Sequence, residues 1–181
     1  MSGAITTNDE QLAQTCRMLR DHGQSKKYYH DIEGYNGRLD AIQAGILQVK
    51  LRKLVEWNEQ RRKCAGIYDK ILVSVGDDIV LPIQPTWAKS VYHLYVIRAP
   101  RRDELRAYLT NQGIGTGIHY PIPLHLQTAY RQMEFKEGAF PISEKVATEI
   151  LSLPMFPGLG SADQQQVAEA VTRFPFIHST R

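Results

Sequence analysis

Between residues 29 and 38 the chain gathers side chains suited to binding polar ligands: Tyr29, His30, Tyr35, Asn36 and Arg38. A guanidinium such as Arg38 offers a planar fork of donors that matches a phosphate or a carboxylate. Its plainer reading is an exposed arginine at a helix start, a position the helix dipole mildly disfavours for a cation. Asn36 precedes Gly37, so it also fits a turn or cap. Tyr29, His30 and Tyr35 equally suit packing against the next helix. A second candidate is His119, inside the strand-like run Gly115–Tyr120. The following Tyr120-Pro121-Ile122-Pro123 forces a turn that would present this imidazole at a rim. His125 is a weaker candidate, and His22, His93 and His178 carry no functional pattern. Cys16 and Cys64 fall at helical spacing with apolar residues and read as small buried hydrophobes. Without a CxxC pair they exclude a cysteine zinc site, and no metal is expected.

Composition narrows the class. The 181 residues are 43% hydrophobic and 23% charged, the balance of a soluble globular protein. A net charge of +3 could suit nucleic acid. The basic runs Lys26-Lys27, Arg61-Arg62-Lys63 and Arg101-Arg102 are scattered, however, with acidic residues among them and no nucleic-acid motif. They read as solvated faces. No apolar stretch is long enough to span a bilayer and no signal peptide is visible, so a cytoplasmic location is expected.

The elements that must position these residues begin with a β-prone Gly3–Thr7 run. A helix follows from a capping box at Asn8–Gln11, with Leu12, Cys16 and Leu19 on one face and a stop at Gly23. Residues 24–37 lack periodicity and read as a loop. Arg38 to Leu72 carries the longest helical pattern and fits two tandem helices or one bent one. Then come a strand at Tyr92–Arg98, a helix at Asp103–Gln112, a strand at Gly115–Tyr120 and a helix at Ser143–Leu153 stopped by Pro154. A final helix starts from a capping box at Ser161–Gln164 and buries Val167, Val171 and Phe174. The pattern is α/β, divided into 1–37, 38–75 and 76–181. The first part is too small for its own core and resembles the end of a larger domain. The last is a small α+β domain whose sheet is covered by helices.

Two segments carry a specific resemblance. His30–Leu47 (HDIEGYNGRLDAIQAGIL) and Gly113–His125 (GIGTGIHYPIPLH) are similar to the DegT/DnrJ/EryC1/StrS family of pyridoxal-phosphate (PLP) aminotransferases, which act on nucleotide-linked keto-sugars. Trp57–Arg62 and Leu153–Pro157 fit the same family, and the likeness runs from Ala4 to the last helix. The resemblance implies the C-terminal part of a fold-type I transferase, in which a small domain closes over a large one and two subunits share each site. It implies a homodimer and, as ligands of the full-length form, PLP, a nucleotide-diphospho-sugar and an amino donor.

It also implies residue roles. Asn36 would donate its amide to the PLP phosphate of the neighbouring subunit. Arg38 would reach the substrate's phosphate or carboxylate groups. His119, with Tyr120, would contact the sugar, and Tyr29, His30 and Tyr35 would line the partner's site. Ala4–Asn8 resembles the stretch after the family's Gly-Glu-Gly-Gly turn, and the Schiff-base lysine lies just ahead of that turn. With Met1-Ser2-Gly3 in front of Ala4, the 181 residues are expected to lack that lysine, the acidic partner of the pyridine nitrogen and the ring-stacking residue. The expectation is therefore a truncated aminotransferase, inactive alone, since the chemistry needs the lysine amine. Two alternatives stand beside it: a non-catalytic sugar-nucleotide-binding or regulatory module that pairs with a full-length relative, and one half of a split enzyme.

Overall fold

The computed structural model describes residues 3–176, so His178 lies outside the described residues. The chain is α/β and forms two compact units, Met1–Leu54 and Val55–Arg181.

In the first unit, residues 3–9 form no strand despite their β-prone composition. Helix α1 (Glu10–Arg20) follows, capped by Asp9, whose carboxylate accepts from the Leu12 amide at 3.0 Å. The cap is thus Asp9 and not Asn8, and no Gln closes a box. Cys16 on this helix is only half-buried, and Leu12 on the same face is exposed. The expected loop at 24–37 holds a short antiparallel hairpin, β1 (Gln24–Lys26) with β2 (Tyr29–His30). Its turn uses Tyr28 at a φ of 72°, a left-handed conformation that composition gives no reason to expect outside glycine. At its base the backbone crosses itself tightly. Gly23 has a φ of 74°, and a Cβ there would stand 1.7 Å from the Ile32 carbonyl oxygen. Helix α2 (Ala41–Leu51) closes the unit, with the Asp40 carboxylate capping the amides of Ile42 and Gln43.

The second unit holds the core. The long helical pattern resolves into two tandem helices, α2 and then α3 (Leu54–Leu72), and α3 buries Cys64, Ala65, Tyr68 and Leu72. Strand β3 is Tyr95–Arg98, shorter than Tyr92–Arg98, with Tyr95 and Ile97 facing the core. Helix α4 (Arg102–Asn111) buries Leu105 and Leu109, and Gly113, just past its cap, has a φ of 74°.

The expected helix Ser143–Leu153 divides. Its first part is α5 (Pro141–Glu149), and Ile150–Leu153 is strand β4, antiparallel to β3 with Tyr95 opposite Leu153 and Arg98 opposite Ile150. All four β4 residues are buried, so this strand shows none of the alternation that marks a half-exposed one. The expected strand at Gly115–Tyr120 reduces to a single bridge, Gly117 to Ser152, on the outer side of β4. Helix α6 (Ser161–Arg173) buries Val167, Ala168 and Val171, with Phe174 buried just beyond. Its cap is Gly160 and makes no side-chain hydrogen bond. Gln164 turns inward and donates to the Cys64 carbonyl at 2.6 Å, so the expected capping box is absent.

Two tyrosines tie the core together. Tyr68 donates to the Pro154 carbonyl at 2.9 Å and Tyr95 to Asp69 at 2.6 Å, and burial pushes both phenols well above their ordinary range.

Candidate functional site

The candidate residues fall into two groups, one in each unit. In the first unit, the C-terminal end of α1 is the organising feature. The Tyr35 amide donates to the Leu19 carbonyl at 2.7 Å, the His22 amide to the Tyr35 carbonyl at 2.9 Å and the Gly37 amide to the Arg20 carbonyl at 2.8 Å. These bonds lay residues 35–37 along the helix end and bring Arg38 back to Asp21, with Nε 3.4 Å from Oδ1. That is an ion-pair distance without hydrogen-bond geometry, and this buried oxygen of Asp21 has no hydrogen bond. His30 Nδ1 lies 2.7 Å from the His22 carbonyl. A carbonyl only accepts, so Nδ1 carries the proton and closes the hairpin.

A concavity of about 540 Å³ results, lined among others by Asp21, Gln24, Lys26, Lys27, His30 and Arg38. Three fixed cations face one carboxylate there, a donor set suited to phosphate. Tyr29, Tyr35 and Asn36 are exposed and do not line it. Lys26 and Lys27, read from the sequence as a solvated face, do line it. Lys26 Nζ stands 5.5 Å from the Tyr29 ring and Lys27 Nζ 5.0 Å from the Tyr28 ring. The only sequence signal for them was a lysine pair beside two tyrosines, since the hairpin that curls them toward Arg38 has no periodicity.

In the second unit, residues 119–125 with Gln127 form one wall of a groove of about 660 Å³, and Phe140, Ser143, Val146, Ala147 and Ile150 form the other. His119 and Tyr120 both line it, with their rings 5.6 Å apart, edge to face. The wall is fixed at both ends. His119 Nδ1 pairs with Ser152 Oγ at 2.9 Å, and His125 Nε2 with Glu144 Oε1 at 2.9 Å.

Glu144 also accepts the amides of Gly138 (2.8 Å) and Phe140 (3.1 Å). Those two backbone donors, and then His125, hold its carboxyl below the usual carboxylate range. The groove is largely apolar with a few polar groups at its edge, as ligand sites commonly are. Ser152 was not singled out in the sequence because it lies inside an apolar run. His125 was given little weight, yet it anchors this wall. Among the described residues no cluster could hold a metal, and no helix is long and apolar enough to cross a membrane.

Comparison with known proteins identifies the family of the chain. The model of the DegT/DnrJ/EryC1/StrS aminotransferase family matches residues 2–172. A "pleiotropic regulatory protein" of Geobacillus stearothermophilus is 51% identical over 173 residues, covering 95% of this chain and 46% of the relative. A dTDP-3-amino-3,4,6-trideoxy-alpha-D-glucose transaminase of Streptomyces venezuelae is 41% identical over 169 residues, covering 93% and 44%.

Among solved structures, S. venezuelae DesV superposes with a TM-score of 0.88 at 40% identity, covering 92% of this chain and 44% of DesV. NtdA of Bacillus subtilis, with bound cofactor PMP, superposes at 0.82 with 28% identity, covering 91% and 40%. The chain therefore spans a little under half the length of the relatives it matches. It belongs to the DegT/DnrJ/EryC1/StrS aminotransferase family.

Proposed function

We propose that this chain is the C-terminal portion of a PLP-dependent aminotransferase that acts on a nucleotide-linked keto-sugar in the cytoplasm. In this reading residues 1–37 end the large cofactor domain, 38–75 connect, and 76–181 form the small domain. The observation that carries it is the phosphate-suited concavity of Lys26, Lys27, His30 and Arg38. It occurs in a chain whose relatives include a dTDP-sugar transaminase.

The residues present fit a phosphate group, whether of a nucleotide or of the cofactor. Lys26, Lys27 and Arg38 supply charge, and Asn36, exposed outside that concavity, would offer its amide to the cofactor phosphate of a neighbouring subunit. When bound, the pyridoxal group supplies the electron sink for amino transfer. Tyr29 and Tyr35, exposed in the same unit, offer apolar faces to a partner subunit's site, as expected of a homodimer with shared sites. His119 and Tyr120 offer a donor and a ring to a sugar.

All nine lysines are exposed. A Schiff-base lysine works as a neutral amine, which desolvation or a neighbouring cation favours. We therefore assign none of them that role, and this polypeptide alone does not transaminate. Sustained amination of a keto-sugar by the purified chain with PLP and an amino donor would overturn that assignment.

The binding reading is tested by titrating the chain with dTDP and UDP. Saturable binding that weakens with salt, and that falls about tenfold or more on replacing Arg38 or both Lys26 and Lys27 by alanine, supports it. Binding unchanged in those variants, or absent, sinks it.

One observation favours a second reading: the 51% identical relative is named a regulatory protein. A regulatory module would form a stable heterodimer when co-expressed with a full-length relative, and separate purification of the two chains would remove that reading.

A further inference from the structure

Strand β4 carries one polar side chain, Ser152, which is 4% exposed. Its amide and carbonyl are taken up by the Gly117 bridge, at 2.7 and 3.0 Å. Its hydroxyl has one partner among the described residues, Nδ1 of His119. A hydroxyl removed from water must place its proton on an acceptor, or the burial is costly. Nδ1 can accept only if the neutral ring carries its proton on Nε2. Ser152 Oγ–H therefore donates, and the imidazole is held as the Nε2–H tautomer. Nε2 itself has no hydrogen bond to any described residue, and His119 lines the groove, so this N–H is free for a ligand.

Gly117 supplies a second, independent constraint. A Cβ placed on it would stand 2.6 Å from His119 Cε1, 3.3 Å from Nδ1 and 3.5 Å from Nε2. Gly117 is not among the residues with positive φ, so the backbone does not demand glycine there. What glycine provides is the space the ring occupies. The imidazole thus rests against bare backbone on one side and is bonded to a buried hydroxyl at one nitrogen.

We propose that Ser152 and Gly117 are positioning residues that hold His119 as an Nε2–H donor for an acceptor oxygen of a nucleotide-linked sugar bound in the groove. The ligand class rests on the function proposed above; the state of the ring does not. Tyr120, edge-on to the imidazole, adds a wall without competing for either nitrogen.

The test begins with the ¹⁵N-labelled 181-residue chain at a pH well above the ordinary imidazole range. Long-range proton–nitrogen correlations of the His119 ring are assigned by their loss in His119→Gln. A pyrrole-like Nε2 and a pyridine-like Nδ1 without averaging are expected in the wild type. Both Ser152→Ala and Gly117→Ala should move the two nitrogen shifts toward each other. Gly117 lies outside the hydrophobic core, so its variant keeps the test valid if the β4 variant folds poorly; far-UV circular dichroism checks each.

A proton on Nδ1 in the wild type, or a ring unaffected by either substitution, overturns the proposal. Ligand binding then separates the two claims. Affinity for dTDP-glucose should fall roughly three- to tenfold in Ser152→Ala, the worth of one neutral hydrogen bond, and recover in Ser152→Thr. A matching loss for dTDP assigns the acceptor to a phosphate, and a loss confined to dTDP-glucose assigns it to the sugar. If the wild type binds neither while the ring behaves as stated, the nucleotide-sugar reading fails and the positioning of His119 stands.

Discussion

The two compact units are built on opposite principles. Every buried apolar side chain among the described residues lies at or beyond Cys64, and between residues 3 and 54 only Gly23 is buried. The second unit is held by a core in which α3, α4 and α6 enclose β3 and β4, with Tyr68, Leu72, Ile97, Leu105, Leu109 and Val171 fully buried. The first is held by caps, backbone crossings and hydrogen bonds at the end of α1, while Ile42, Ile46 and Val49 of α2 stand 54–76% exposed. Burial of apolar area is the dominant source of folding free energy. One unit therefore carries its own stability, and the other has little buried apolar surface of its own. Exposed apolar faces of this extent commonly mark interaction surfaces.

The largest test of that contrast is a pair of truncations. Leu109→Ala empties a fully buried position and is expected to cost about 2–5 kcal/mol. Ile46→Ala removes an exposed side chain and is expected to change stability by less than about 0.5 kcal/mol. Urea unfolding followed by tryptophan fluorescence reads the first directly, because Trp57 and Trp87 both lie in the second unit. Far-UV circular dichroism reads the second. Comparable losses for the two variants would erase the distinction.

A finer test is hydrogen exchange. Amides of β3 and β4 are expected to exchange slowest, and those of α1, the hairpin and α2 faster, since local opening there exposes no buried apolar surface. Strong protection across residues 10–51 would mean that the first unit is stabilised by something other than its own packing.

The same contrast explains what the sequence disclosed. The tandem helices were legible because Leu39, Ile42, Ile46 and Leu47, and then Leu54, Cys64, Tyr68 and Leu72, repeat at helical spacing. Strand β4 was hidden because Ile150-Leu151-Ser152-Leu153 is buried on both faces. Four apolar-flanked residues after a helix look like one more turn of it. The strand expected at Gly115–Tyr120 has β-prone residues, yet Pro121 and Pro123 turn the chain away after a single bridge.

Asn8 and Ser161 both looked like caps on type and spacing alone. Which neighbour caps a helix depends on how the chain enters it, and that is set beyond the local window. His30, Tyr35, Asn36, Arg38, His119 and Tyr120 became candidates through two family-like segments, a signal of order and spacing. The surroundings of Lys26, Lys27, Ser152 and Gly117 are set by residues that fold against them, and a linear reading has no access to that.

The smallest expected effect lies at the far end of the His119 wall and concerns pH. Glu144 accepts two amides and the His125 ring, and its carboxyl is held below the usual range, first by the Gly138 amide. A carboxylate whose folded-state pKa is depressed stabilises the fold fully above its unfolded value of about 4.3, and that contribution is lost as pH falls through the lower folded value. Between those two values the folded wall should keep Glu144 ionised while an unfolded chain would protonate it.

The amide shifts of Gly138 and Phe140 should therefore stay constant from neutral pH through the ordinary carboxylate range and move only below it. In Glu144→Gln the same shifts should be flat throughout, and the His119 ring should keep its tautomer, because Ser152 and Gly117 hold it from the other end. A Gly138 shift that titrates at the ordinary carboxylate value would show that the clamp is open in solution. A change in the His119 ring in Glu144→Gln would show instead that the two anchors of the wall act as one.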